Sequence, residues 1–370
     1  MGTPTDKFPR LKLSSSNSHL ISIPPPRKPV NYGNCDLFKA GYCDGSLRVV
    51  LALKRPRIIG DSATQAEMVQ RRFEREVAIW SQLNHINILP FYGVVELVSE
   101  SFLVSEAYLA SPWVEHGDLF EFLAARLKYS RTSSTLENTI PERIYEAFST
   151  FDEYLMVLGI ASGLTYLHAN GVIHGDLKAA NILLDDVLQP LICDFGLTKN
   201  EEFNVTSESQ KRCGTGRWKC PTLEDKKPRS EKTDMFSFGM TIVEVLTGSV
   251  PFPAKTIFQV QMAFALGQRP PFEPPKSSNG KDLVPLWELA ASCWTPEPDD
   301  RLNAKDVVSV LTSLIYASPP SDDVDDDHTD VDDRMDSSPL SSPITPCKRR
   351  RSTIGDSERR GAIRHSPMWR

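Results

Sequence analysis

The chain has 370 residues, 40% of them hydrophobic, and a formal net charge of −6. That is enough for one large domain or two modest ones, and it argues against bulk nucleic-acid binding as the main task. Seven scattered cysteines (Cys35, Cys43, Cys193, Cys213, Cys220, Cys293 and Cys347) make no CxxC pair or other metal-ligand spacing, which fits a reducing compartment better than a disulfide framework. No apolar run reaches the roughly 18 residues of a membrane span, no secretory signal is present, and "MGTPTD" has Asp6 where a myristoylation signal wants Ser or Thr. A soluble, intracellular chain is expected.

In chain order, residues 1–28 are Ser/Pro-rich, run into "PPPRKP" (24–29) and read as a disordered leader. "LRVVLALKR" (47–55) and "SFLVSEAYLASPWV" (101–114) have the composition of strands. Between them "AEMVQRRFEREVAIWSQL" (66–83) has helical periodicity, with Phe73, Glu76, Trp80 and Leu83 on one face. The polar stretch 127–143 reads as a surface insertion. "DEYLMVLGIASGLTYLHANG" (152–171), "DMFSFGMTIVEVLTG" (234–248) and "LWELAASCW" (286–294) are predicted helices, the first two stopped by glycine. Beyond about residue 317 the chain turns to Asp, Ser, Pro and Arg, a second disordered segment. Strands first and helices later predict an α+β fold of two unequal lobes.

Two short stretches carry chemistry. "HGDLKAAN" (174–181) puts an acid, a base and an amide in one loop, and "LICDFGLTK" (191–199) delivers Asp194 at the end of an apolar run, with Gly196 freeing the backbone. Phosphoryl transfer needs such a set: Asp176 to accept a hydroxyl proton, Lys178 against the moving phosphate, Asn181 and Asp194 as hard-metal ligands. These stretches resemble the catalytic loop and metal-binding motif of the protein kinases, and "LALK" (51–54) resembles their third strand. The resemblance covers about residues 29–317, and it implies an N-lobe at 29–110, a hinge at 111–117 and a C-lobe at 118–317. Under it Lys54 anchors phosphate and pairs with Glu76. Ala52 and Leu183 sandwich an adenine, whose edge meets backbone groups of Trp113 and Val114. ATP and Mg²⁺ are the implied cofactors, and protein substrates the implied partners, with no nucleic acid and no membrane. Trp80, His174 and Phe195 match a column that joins the lobes. Asp234 matches the residue that holds the catalytic-loop backbone, and Arg301 sits in the stretch "DDRLNAKDVV" (299–308) that closes the family pattern. Lys178 and Thr215 point to serine/threonine acceptors. Trp218, "SFGM" and "ELAASCW" lean to the tyrosine-kinase-like group, and the wording as a whole resembles the expanded kinase families of mushroom-forming fungi.

The pattern departs in three places. Of three glycines expected over the phosphates only Gly33 stands, Tyr32 and Cys35 replacing the others, and side chains there crowd a phosphate. Thr222 replaces the glutamate that would pair with Arg301, with Glu224 as a nearby substitute. Gly175 stands where an arginine often precedes the acid. With no charge to neutralise at that turn, activity is expected to depend little on phosphorylation of Thr206, Ser207 or Ser209. Two rivals to an active protein kinase follow: a pseudokinase scaffold with an impaired phosphate loop, and a small-molecule phosphotransferase, which "CPTLEDKKP" and "DMFSFG" disfavour. In the C-terminal segment the acidic run 321–333 precedes "KRRR" (348–351), a solvated charge run or a nuclear-import patch in an otherwise cytoplasmic protein. Ser352 suits basophilic kinases, and Ser338, Ser342, Thr345 and Ser366 suit proline-directed ones.

Overall fold

The computed structural model describes residues 11–24, 30–32, 35–57, 63–98, 105–131, 142–198, 216–221, 229–271 and 280–316. Strands β1 (Ile21–Ser22), β2 (Val30–Tyr32), β3 (Cys35–Asp44), β4 (Leu47–Pro56), β5 (Gly93–Val98) and β6 (Ser105–Pro112) form an antiparallel sheet in the order β1-β3-β4-β6-β5, with β2 also paired to β3. The pleat sends alternate residues of β4 to opposite faces. Leu51 and Leu53 join Phe38, Tyr42, Tyr92, Val95 and Tyr108 in a small buried core. Ala52 and Lys54 face the other way, and Lys54 meets helix α1 (Ala63–Trp80).

The segment expected to be a disordered leader is in part ordered. A 3₁₀ turn at Ser15–Leu20 and β1 strap the outer face of the sheet. Leu13 is buried and bridges Gly93, Leu13 N–H donates to Tyr92 O, and Ser18 Oγ donates to Glu96 O at 2.7 Å. Gly93 makes this possible: its φ is +128°, and a Cβ there would lie 2.1 Å from Leu13 O. The apolar residues Leu11, Leu13, Leu20, Ile21 and Ile23 cover the tyrosines beneath, a burial that outweighs the polar composition of the serines between them.

The larger lobe is helical. Its described helices are α2 (Leu119–Arg131), α3 (Glu142–Thr150), α4 (Glu153–Ala169), α5 (Glu231–Thr247), α6 (Ile257–Ala265), α7 (Val284–Cys293) and α8 (Ala304–Tyr316). Helix α5 is buried from Thr233 to Leu246 and forms the axis of this lobe. Asp152 caps α4, accepting from the amides of Tyr154 and Leu155. The stretch 127–143 is helical at both ends, in α2 and α3, rather than a loop throughout, and its middle lies outside the described residues. A hairpin of β7 (Ile182–Leu184) and β8 (Pro190–Ile192) carries the catalytic-loop and metal-motif sequences. The segment after α1 ties this hairpin to the smaller lobe: Leu89 N–H donates to Ile192 O at 3.0 Å, Ile192 N–H to Asn87 O at 2.9 Å, and Asn87 Nδ2 to Pro190 O at 3.0 Å. The architecture is the expected α+β fold of two lobes. The connection begins later than expected, since β6 runs on through Pro112. Residues 317–370 lie outside the described residues, as does every modification site read there.

Candidate active site

Lys54 is the meeting point of three elements. It arrives on β4, Glu76 on the inward face of α1, and Asp194 just after β8. Lys54 Nζ donates to Glu76 Oε1 at 2.7 Å and to Asp194 Oδ1 at 2.8 Å. Burial alone would lower the lysine pKa, but Asp194 and Glu76 outweigh it and hold the ammonium well above its usual range. Burial likewise raises the Asp194 carboxyl, and Lys54 overcomes that and keeps it low. Glu76 remains raised by burial, which Lys54 offsets only in part. Asp194 has φ +67°, a left-handed conformation that aspartate tolerates better than most side chains and that aims its carboxylate at Lys54.

The loop 174–181 is held from beneath by α5. Asp234 Oδ2 accepts His174 N–H at 2.8 Å and lies 3.0 Å from His168 Nε2, while Oδ1 accepts Gly175 N–H at 2.8 Å. Burial raises the Asp234 carboxyl, and the His168 bond with the charges and amide around it reverses this to a lowered value. Asp234 therefore does hold the loop backbone. Above it, Lys178 Nζ donates to Asp176 Oδ2 at 2.7 Å, and Asn181 Nδ2 donates to Asp176 O at 2.7 Å and Oδ2 at 3.2 Å. The Asn181 amide nitrogen is thus turned inward. Cys193 N–H donates to Asn181 O at 3.0 Å and His174 Nε2 lies 3.0 Å from Cys193 O, so the two motifs are stitched together one residue from Asp194. Phe195 packs between Trp80, at 5.9 Å between ring centroids, and His174, at 5.8 Å, and forms the column between lobes.

The apolar residues predicted around a base come from three different parts of the chain. Ala52 is buried on β4 opposite Ser111, and Val114 is buried where β6 ends. Leu183 is half-buried on β7 and bridges Asp118. Of the Trp113 backbone groups, the N–H is taken by the sheet. Its amide donates to Val50 O at 3.0 Å and extends the sheet, so that N–H cannot meet a base, and its ring lies 4.8 Å from Lys39 Nζ. Val114 N–H makes no hydrogen bond among the described residues. Cys35, in place of a glycine, is half-buried near Lys54, and burial pushes its thiol up to about 11, so it is a neutral occupant of the loop edge. Gly33, Thr215, Thr222 and Glu224 lie outside the described residues, as does the Tyr32 side chain.

Arg301 is settled without a described carboxylate: it donates to the carbonyls of Thr295 at 2.9 Å, Lys232 at 2.8 Å and Pro296 at 3.2 Å, and stacks over Phe236. The sequence reasoning missed Glu244. This buried acid on α5 accepts Ala179 N–H at 2.8 Å and Trp218 Nε1–H at 2.7 Å on one oxygen, bracing the catalytic loop against residue 218. A lone acid within the apolar run "TIVEVL" was the signal that could have found it. The structure adds a neighbour to Gly175. The turn does carry a cation, because the Arg229 side chain lies where a side chain of residue 175 would begin. Thr206, Ser207 and Ser209 lie outside the described residues.

Residues 49–311 match the family described as protein tyrosine and serine/threonine kinase. "Serine/threonine-protein kinase STY17" of Arabidopsis thaliana is 29% identical over 288 residues, covering 77% of this chain and 43% of that protein. "Serine/threonine/tyrosine-protein kinase HT1" of the same plant is 29% identical over 261 residues, covering 70% of this chain and 59% of that one. "Mitogen-activated protein kinase kinase kinase zak-1" of Caenorhabditis elegans is 29% identical over 245 residues, covering 65% of this chain and 30% of its own. The chain therefore spans less than two thirds of each of these relatives. It belongs to the protein tyrosine and serine/threonine kinase family.

Proposed function

We propose that this member of the protein kinase family transfers the γ-phosphate of ATP to serine and threonine hydroxyls of protein substrates. The observation that carries the reading is the convergence of Lys54 with Glu76 and Asp194, from both lobes, beside a loop in which Asp176, Lys178 and Asn181 hydrogen-bond one another. Asp176 takes the acceptor's proton as its oxygen bonds to the γ-phosphorus and ADP departs with the bridging oxygen and its electron pair. Lys178, already on the Asp176 carboxylate, screens charge as the phosphoryl group moves across. Lys54, kept charged by two carboxylates, anchors the nucleotide phosphates. Ala52, Val114 and Leu183 supply the apolar walls for the base, and the Val114 amide its polar edge.

The residues present fit a magnesium ion. One ammonium between two carboxylates leaves an excess of one negative charge, and the inward turn of the Asn181 amide nitrogen leaves its side-chain oxygen for a hard cation. Asn181 and Asp194 would hold the ion, which when bound neutralises phosphate charge. Among the described residues no group of three His, Cys, Asp or Glu side chains is placed to hold a metal, in keeping with an ion that takes one or two protein ligands and completes its shell with phosphate and water. The presence of every group that does chemistry favours transfer over a scaffold. Lys178 and the likeness to the serine/threonine-protein kinase STY17 favour serine and threonine as acceptors, and the kinship to fungal kinase expansions rests on the wording of the motifs. No helix among the described residues is long and apolar enough to cross a membrane. A cytoplasmic protein with nuclear entry through "KRRR" completes the proposal.

The test is transfer from γ-labelled ATP to a generic acceptor protein, with the labelled residues identified. Label on serine and threonine that an Asp176→Asn variant loses by about 10²–10⁴-fold is expected. Equal label from the variant, or none from the wild-type chain, refutes the proposal.

A further inference from the structure

The left-handed turn before Asp176 is covered by a side chain from the start of α5. Gly175 has φ +78°, open to glycine and strained for other residues. A Cβ on Gly175 would lie 2.7 Å from Arg229 Nη1, 3.0 Å from Cδ and 3.2 Å from Cζ. The half-buried Arg229 side chain therefore runs flat over the Cα of Gly175. It is delivered by the start of α5: Arg229 immediately precedes Ser230, whose carbonyl accepts Thr233 N–H at 2.9 Å and Asp234 N–H at 3.2 Å. The same helix start thus grips one residue twice, with the Asp234 carboxylate on its amide and the Arg229 guanidinium on its open face.

Resting on the function proposed above, we infer that Arg229 is a positioning residue for Asp176. Glycine is the residue with the widest choice of backbone states, and a glycine next to a catalytic acid leaves that acid's direction loose unless something outside the turn restricts it. A planar, weakly hydrated guanidinium suits that task, because it packs flat and brings charge without a large desolvation cost. Gly175 and Arg229 are then a matched pair: the arginine fits because residue 175 has no Cβ, and the glycine turn keeps one conformation because the arginine covers it. Substrate groups are not required to touch Arg229. Its loss acts on the geometry of Asp176 and leaves the nucleotide contacts of Lys54 and Val114 in place.

Three measurements on the full chain test this. In Arg229→Ala, kcat is expected to fall about 10–100-fold, the size of effect that a displacement of a catalytic group by an ångström produces, with KM for ATP within about threefold of wild type. Guanidinium or ethylguanidinium at millimolar levels is expected to restore part of kcat, and Arg229→Lys, which keeps charge and stem, to fall between. Hydrogen exchange at residues 174–181 is expected to accelerate in Arg229→Ala while the melting temperature stays near wild type. A kcat within twofold of wild type, a loss that guanidinium leaves untouched, or unchanged exchange overturns the inference. If Arg229→Ala does not fold, the same exchange and kcat criteria apply to Arg229→Lys. A wild-type chain that transfers no phosphate sinks the proposed function instead, and the exchange measurement still decides whether Arg229 holds the turn.

Discussion

Replacing Glu244 by glutamine should change how stability depends on pH. The Glu244 carboxyl is 1% exposed on α5, and burial pushes it up to about 8, against the pull of the Ala179 amide, the Trp218 indole and the Lys178 charge. In the unfolded chain it ionises near its ordinary 4.5. Below that pH both states carry the proton and the fold keeps its full stability from this group. As pH rises the unfolded chain gives up its proton first, so stability is lost progressively until the folded carboxyl also ionises near 8. A gap of about 3.5 pH units, at about 1.4 kcal/mol each, comes to about 5 kcal/mol, of which about 4 kcal/mol falls between pH 5 and 8. Glutamine cannot ionise, yet both donors bond a single oxygen, Oε2, which the amide oxygen can replace. The assay is the difference in melting temperature, Glu244→Gln minus wild type, measured by calorimetry from pH 5 to pH 8. It should shift in favour of the variant by about 8–16 °C across that range, at about 2–4 °C per kcal/mol for a domain of this size. A difference that stays flat with pH would refute the reasoning that this acid is held neutral by burial.

Gly93→Ala should dislodge the strap of residues 11–23, since its Cβ would collide with Leu13 O at a backbone angle of +128°. The expected cost is about 2–4 kcal/mol in urea unfolding, and it should shrink when the strap is deleted; an additive effect would speak against the contact. Arg301→Lys should cost about 2–3 kcal/mol by the same measurement, because three carbonyls that converge on the buried Arg301 lose a forked donor that one ammonium cannot replace. A loss under 0.5 kcal/mol, by the usual scale of neutral surface changes, would mean that those carbonyls are served otherwise.

What was legible in the sequence was what local pattern specifies. The β4 strand, the α1 periodicity and the apolar runs of α4 and α5 are short-range signals, and the chemistry of "HGDLKAAN" and "CDFG" lies in residues close in sequence. Lys54, Glu76 and Asp194 were named together only because the family resemblance bridges the long separations that join them; periodicity gave only the inward face of Glu76. The strap escaped because its serines resemble disorder, and its order depends on Leu13 meeting Gly93, eighty residues away. That the Trp113 N–H turns to Val50 was not legible, because it depends on the phase of β6 against β4. Arg229 over Gly175 has no local signature, since the contact joins a loop to a helix start far along the sequence.

The central claim is that Lys54, Asn181 and Asp194 hold one magnesium–nucleotide for Asp176 to work on. Calorimetric titration with a non-hydrolysable ATP analogue tests it most directly, run with and without Mg²⁺ on the wild-type chain and on Asp194→Asn. The account predicts binding that Mg²⁺ strengthens in the wild type and a Mg²⁺ effect that Asp194→Asn removes. Affinity that ignores both the ion and the substitution would contradict it.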